Sequence, residues 1–186
     1  ANLHRDYRIF EDFAFYMMKE ACEKRATNIL DIPGKKFAFD STTIPLCLAT
    51  FPWAKFRKRK GGVKAHVLYD IEAQAPMRSI PYEPNAYYIF DRAYDSFKEL
   101  YKIHLTDSFY VIRAKTNLKY KMVKWKRRMP KNVLTDAEVK LTGYLSEKKY
   151  PESFRLIRYY DEEDGREFVF LTNAKHLSAL DVANLY

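Results

Sequence analysis

Two acids stand where acids are costly. Asp40 falls inside "KFAFDSTTI", residues 36 to 44, and Asp91 ends the apolar run "YYIFD", residues 87 to 91. Both stretches read as β-strands. A carboxylate in a strand must be solvated, paired or bound to a metal ion. Two of them meeting at one end of a sheet repel each other unless a divalent cation lies between, and hard oxygen ligands of this kind suit Mg2+ or Mn2+. The chemistry to expect of such a pair is phosphodiester cleavage or transfer, in which two ions activate the attacking oxygen and stabilise the leaving one. The plainer reading makes Asp91, followed by Asp95 and Ser96, a helix cap. On the residues alone both readings stand.

Strands and helices must bring the two acids together. From Arg8 to Arg25, Phe10, Phe13, Ala14, Met17, Met18 and Ala21 recur at helical spacing and predict an amphipathic helix that Pro33 and Gly34 close off. After the strand bearing Asp40, Gly61-Gly62 reads as a turn. "KAHVLYDIE", residues 64 to 72, then reads as a second strand paired with the first. "YYIFD" fits a strand covered on both faces. Ser96 and Glu99 have capping-box spacing, and Phe97, Leu100, Tyr101 and His104 follow at helical intervals. "SFYVIRA", residues 108 to 114, returns as a strand and completes a right-handed βαβ unit that makes the two acid-bearing strands neighbours. Beyond it the pattern turns to β, with weak strands near 119 to 125 and 137 to 142. "FRLIRYY" and "EFVFLTN" come next, joined through Asp164-Gly165, a hairpin signal. "SALDVANLY" reads as the first turns of a further helix.

At 186 residues and 47% hydrophobic content the chain suits one domain with an elaboration and a real core. With 5 Gly, 8 Pro and no repeat or low-complexity tract, the composition excludes disorder and solenoids. No apolar run reaches the roughly 18 residues of a membrane span, and "ANLHRDYRIF" lacks signal-peptide form, which predicts a cytoplasmic protein. Cys22 and Cys47 lack CxxC spacing and read as buried free thiols, while His4, His66, His104 and His176 are too scattered for a zinc site.

Charge is distributed unevenly. Residues 55 to 64 carry six basic side chains and no acid, and residues 113 to 131 carry nine and no acid, so the formal charge of +9 is local and the rest of the chain is net negative. One such run reads equally as a solvated face or as a surface for acidic proteins or membranes. Two runs, interleaved with Phe56, Tyr120 and Trp125, favour a polyanion, because phosphates neutralise the lysines and aromatic rings stack on bases.

Taken in order, "FDSTTI", "WAKFRKRKGGVKAHVLYD", "YYIFDRAYDSFKELY" and "EFVFLTN...LSALDVANLY" closely resemble the DDE transposases of bacterial insertion sequences, in the group that includes the insertion-sequence-four elements. The resemblance covers nearly the whole chain from about Lys36 onward. It implies an α/β fold: a ribonuclease-H-like mixed sheet flanked by helices, with a β-rich insertion after the fifth core strand. The implied divisions are an N-terminal helical segment (1–35), the first part of the catalytic core (36–118), the insertion (119–173) and the start of the final catalytic helix (174–186). Asp40 and Asp91 become the first two metal-binding carboxylates of a two-metal Mg2+ or Mn2+ site, and Asp95 and Ser96 begin the next helix.

The third carboxylate of such enzymes is a Glu in a Tyr-x-x-Arg-x-x-x-Glu-x6-Lys motif. Tyr186 matches its opening Tyr and is the last of the 186 residues. Glu138, Glu147, Glu152, Glu162, Glu163 and Glu167 lie in the β-rich part and do not replace it. Related chains also carry a further strand and a helical stretch before "IPYEP", whereas here Pro76 adjoins Met77 and 51 positions separate Asp40 from Asp91. A deletion there is expected to leave the second strand's backbone unpaired.

The mechanism implied is cleavage at transposon ends, then attack of the freed 3′-hydroxyl on target DNA, by a homodimer on double-stranded DNA in the bacterial cytoplasm, associated with the nucleoid. Lys55, Arg57, Lys58, Arg59, Lys60 and Lys64 are the first choice for DNA contact. Lys124, Trp125, Lys126, Arg127 and Arg128 are the second, with Arg92, Tyr94 and Tyr186 near Asp91. The alternatives are a catalytically inactive DNA-binding remnant and a metal-dependent nuclease that cuts without joining.

Overall fold

Four consecutive buried side chains, Tyr87 to Phe90, lie in the better-packed part of the protein. The structure is a computed structural model, and it describes residues 6–24, 30–57, 60–77, 81–126 and 128–186. It divides into two compact units, the first formed by residues 1–26 and 38–80, the second by 27–37 and 81–186.

In the first unit, helix α1 (Tyr7–Lys24) lies against the short strand β4 (Ala75–Met77). Ala14, Met18 and Ala21 are half-buried, while Phe10, Phe13 and Met17, expected on the same inward face, are exposed. Strand β1 (Lys36–Leu46) neighbours β3 (Lys60–Asp70), whose other side pairs antiparallel with both β2 (Lys55–Arg57) and β4. The expected Gly61-Gly62 turn is instead part of β3. A Cβ on Gly61 would stand 2.5 Å from the Leu46 carbonyl and 2.9 Å from a Leu48 methyl, so close backbone approach, not turn geometry, explains that glycine.

The expectation that the end of the second strand is left unpaired is also corrected. The Asp70 carboxylate accepts from the Glu72 and Ala73 amides at 2.9 and 3.0 Å, and this reverses the chain so that Met77 pairs with Leu68 and Ala75 with Asp70. Cys47 is exposed, not buried, because it opens a turn in which its carbonyl accepts from Thr50 and Phe51.

The second unit is a mixed sheet flanked by helices, compatible with a ribonuclease-H-like fold. Strand β5 (Tyr87–Phe90) runs parallel to β6 (Phe109–Arg113), with Tyr87 opposite Phe109 and Phe90 opposite Ile112. Helix α2 (Phe97–Leu105) crosses between them and buries Leu100 and Ile103. Ser96 does cap α2, but its side chain makes no capping bond; Glu99 pairs with Lys102 instead of reaching back.

From β6 the sheet continues antiparallel through β10 (Arg166–Thr172), β9 (Phe154–Asp161), β8 (Val133–Leu141) and β7 (Tyr120–Trp125). Gly165, at φ +62°, makes the β9–β10 turn where the sequence placed it. A six-residue helix α3 (Tyr144–Lys149), which the β pattern gave no hint of, links β8 to β9. Helix α4 (Ala179–Leu185) opens with a reciprocal capping box between Ser178 and Asp181 and buries Ala179, Val182 and Leu185.

No helix among the described residues is long and apolar enough to cross a membrane.

Candidate active site

The parallel pair β5 and β6 sets the site, because both strands end at the same edge of the sheet and open α/β sheets bind ligands beyond such carboxyl ends. β5 is buried along its whole length, and the next residue, Asp91, is exposed. The cap reading of Asp91 holds, though for a 3-10 turn and not for the longer helix that follows. It caps the one-turn 3-10 helix Arg92–Tyr94, its Oδ1 accepting from the Arg92 amide at 2.7 Å. The same oxygen accepts from the Tyr186 hydroxyl at 3.2 Å, which leaves Oδ2 without a donor among the described residues.

Tyr186 arrives there because α4 runs back along the sheet. Asn173, just before it, is fixed at the start of β6, accepting from the Tyr110 amide at 2.9 Å and donating to the Ser108 carbonyl at 2.8 Å. The Tyr186 ring packs on Phe170 at 5.1 Å and Phe168 at 6.2 Å. Burial, and then the Asp91 carboxylate, push its phenol above the usual range.

Two hollows flank this point. One, of about 280 Å3, is lined by Arg92, Arg113, Lys115, Tyr120, Arg158 and Glu167 among others. The other, of about 340 Å3, is lined by Arg113, Arg166, Phe168, Phe170 and Tyr186, with Asp161 and Asp164 at its rim. Arg113, the last residue of β6, serves both, its guanidinium 4.9 Å from the Phe168 ring centre while Arg166 stands 4.6 Å from the same ring. Arg113, Lys115, Arg158 and Arg166 were not singled out from sequence. The signal for the first two was present, since both open the second acid-free run.

Other assigned residues are less free than their sequence suggests. Lys126 is ion-paired to Asp136 at 2.8 Å, and Asp136 is gripped by Arg155 through two bonds of 2.6 and 2.7 Å. Lys124 and Trp125, with Arg155, Lys175 and Glu138, line a third hollow of about 330 Å3, and Trp125 is 66% exposed. Arg128 is exposed, and Arg92 is exposed while Tyr94 is half-buried with its ring 6.4 Å from Phe90. Lys58, Arg59 and Arg127 lie outside the described residues.

The structure therefore gathers Asp91, Arg92 and Tyr186 in the second unit. Asp40, exposed in the middle of β1, belongs to the first, as do Lys55 and Arg57 of β2 and the exposed Lys60 and Lys64 of β3. Neither Asp40 nor Asp91 forms an ion pair with a described residue, although the chain carries an excess of cations. Exposed, unpaired carboxylates of this kind fit a hard divalent cation. Among the described residues no group of three or more His, Cys, Asp or Glu side chains is placed to hold a metal ion. Five of the six glutamates of the β-rich part are committed elsewhere, Glu138 to Lys175 and Ser153, Glu147 to Lys140, Glu152 to His104, Glu162 to Lys131 and Glu167 to Arg158, while Glu163 is exposed.

No family model matches the chain. Two curated proteins do. Over 167 aligned positions it is 31% identical to a protein of Sinorhizobium fredii named as a transposase, with 79% of this chain and 46% of that protein covered. The chain is similar to transposases. Over 180 positions it is 25% identical to a protein of Geobacillus stearothermophilus named as the transposase of an insertion sequence element, with 89% of this chain and 48% of that protein covered. The chain thus spans about half the length of the curated relatives it matches. The first alignment, at 167 positions, is longer than the 79% of 186 residues this chain contributes, so that transposase carries residues inside the aligned span for which this chain has no counterpart.

Proposed function

We propose that the chain is catalytic-domain sequence of a DNA transposase of the DDE type, in the insertion-sequence-four-like group, cleaving phosphodiester bonds at transposon ends and joining them to target DNA. The observation that carries this is Asp91, exposed and free of any described cation, at the end of a wholly buried strand among Arg92, Arg113 and Tyr186. Asp40 and Asp91 would hold the divalent ions, and β7 to β10 would correspond to the β-rich insertion. Mg2+ or Mn2+ in that site supplies the Lewis acid that activates the attacking oxygen and steadies the leaving one. The chain's own groups prepare the rest. The Arg92 amide and the Tyr186 hydroxyl fix the direction of the Asp91 carboxylate through Oδ1. Arg92 and Arg113 bind backbone phosphate, as do Lys55, Lys60 and Lys64 on the first unit. Action on paired ends as a homodimer, in the cytoplasm, belongs to the same reading.

The test is cleavage of a labelled duplex carrying the element's end, with and without Mn2+. Metal-dependent cutting that Asp91→Ala and Asp40→Ala each abolish is the expected result, and cutting that survives either change overturns the assignment. A second reading, a DNA-binding chain without catalysis, is favoured by the ion pairs that occupy five of the six glutamates of the β-rich part. It predicts salt-sensitive DNA binding and no cutting under any metal.

A further inference from the structure

Asp95 is buried in a way that nothing described so far explains. Its side chain is only 8% exposed, and among the described residues it has a single cationic partner, the Lys115 ammonium at 3.5 Å, while its Oδ1 has no hydrogen-bond partner. That distance exceeds the roughly 2.7–2.9 Å of a well-made charge-assisted bond. A buried carboxylate held so loosely costs stability, and an apolar residue of similar size would cost less. The groups around it are Lys115 after β6, the Tyr110 phenol of β6, and Tyr144 and Lys149 of α3 across an adjoining hollow. Burial holds its carboxyl above the usual range, against the pull of Lys115.

Lys115 is the connection to function. It lines the basic hollow beside Asp91 together with Arg92, Arg113 and Arg158. Of these four cations two are already answered by carboxylates, Arg158 by Glu167 through bonds of 2.6 and 2.9 Å and Lys115 by Asp95. The Glu167 pair is tight and complete; the Asp95 pair is neither. We propose that Asp95 is an internal competitor for Lys115, so that a phosphate entering the hollow draws the ammonium away and the abandoned carboxylate takes up a proton. Asp95 then sets how strongly the hollow holds a DNA phosphate. This rests on the reading of the hollow as a phosphate site.

The experiment measures binding of a labelled duplex to the wild type, Asp95→Asn, Lys115→Ala and the double variant at several salt concentrations, with the exposed Glu163→Gln as a control for net charge. Asp95→Asn is expected to bind roughly fivefold tighter. Its salt dependence should steepen by about 0.9 in log–log slope, the signature of one more phosphate contact. Lys115→Ala should erase the gain, so that the double variant matches Lys115→Ala alone, and Glu163→Gln should do nothing. Equal or weaker binding by Asp95→Asn, or a gain that persists without Lys115, overturns the proposal. Should Asp95→Asn fail to fold, proton uptake on binding by the wild type, read by calorimetry in buffers of different ionisation enthalpy at mildly acidic pH, decides it: net uptake supports the competitor role and its absence rejects it. If the wild type binds no DNA in low salt, the phosphate reading itself is what fails.

Discussion

Two carboxylate–arginine clusters sit in the same unit and are built to opposite rules. Around Asp136 everything is closed: Arg155 binds both carboxylate oxygens and donates a further bond to the Leu177 carbonyl at 2.5 Å, and Lys126 completes the set at 2.8 Å. Around Asp91 the groups are open: among the described residues one oxygen has no donor and no carboxylate pairs with Arg92 or Arg113. The first cluster ties the β7 end, β8 and β9 to Leu177, two residues before α4. The second has no structural work in proportion to its charge. Residue type does not separate a strut from a site here; saturation does.

The comparison breaks most readily at Asp136. Asp136→Ala leaves the Arg155 guanidinium buried without its partner, and the expected loss is about 3–5 kcal/mol in chemical denaturation. Replacing both residues with apolar ones of similar volume should cost much less than the single change. Asp91→Ala, by contrast, removes an exposed carboxylate and should leave the midpoint nearly where it was while abolishing cutting. A large stability loss at Asp91 would mean that it is a strut after all.

Acid distinguishes the clusters next. Burial pushes the Asp136 carboxyl up, but hydrogen bonds and charge from Arg155 and Lys126 outweigh it and hold it below the usual range. Its contribution is therefore present above the unfolded-state value of about 3.9 and is lost as pH falls through the lower native value. Asp95 behaves oppositely. With its native value raised, the folded state binds the proton first, so acidification toward the unfolded value stabilises. Denaturation midpoints should rise on mild acidification and then fall, and Asp95→Asn should remove the rise alone.

How much of this was legible in the sequence depends on what each inference needed. The strand with Asp40, the buried run before Asp91, the βαβ unit and the Asp164-Gly165 hairpin follow from local pattern, and all stand in the structure. Helix α3 was missed because six residues are too few to show a period, and β4 because three residues of a strand are defined only by their partner. Lys126 read as a free DNA contact because its sequence neighbours are basic. Asp136, ten residues on, reaches it across the β7–β8 pair, whose register no local pattern reveals. The charge of Arg113 was visible at the start of the second acid-free run, but its place beside Asp91 was not, because the β5–β6 register sets it.

Arg113→Ala should weaken duplex binding several-fold, lower the salt slope by about 0.9 and leave the preference among sequences unchanged, as phosphate contacts do. Binding that loses sequence preference instead would assign Arg113 to a base edge.

The smallest expected effect belongs to Trp125. Its ring is two-thirds exposed on the edge strand β7, beside Lys124 and at the hollow that is otherwise lined by paired charges. A ring in that position offers stacking but little charge, and stacking requires a base that is not already covered by its neighbours. Trp125→Ala should therefore leave blunt duplex binding nearly intact and weaken binding to a duplex with an unpaired end by about 1 kcal/mol, near the lower limit for one base on an aromatic ring. An equal loss on both substrates would show that Trp125 supports the strand and not the DNA, and would place β7 with the struts.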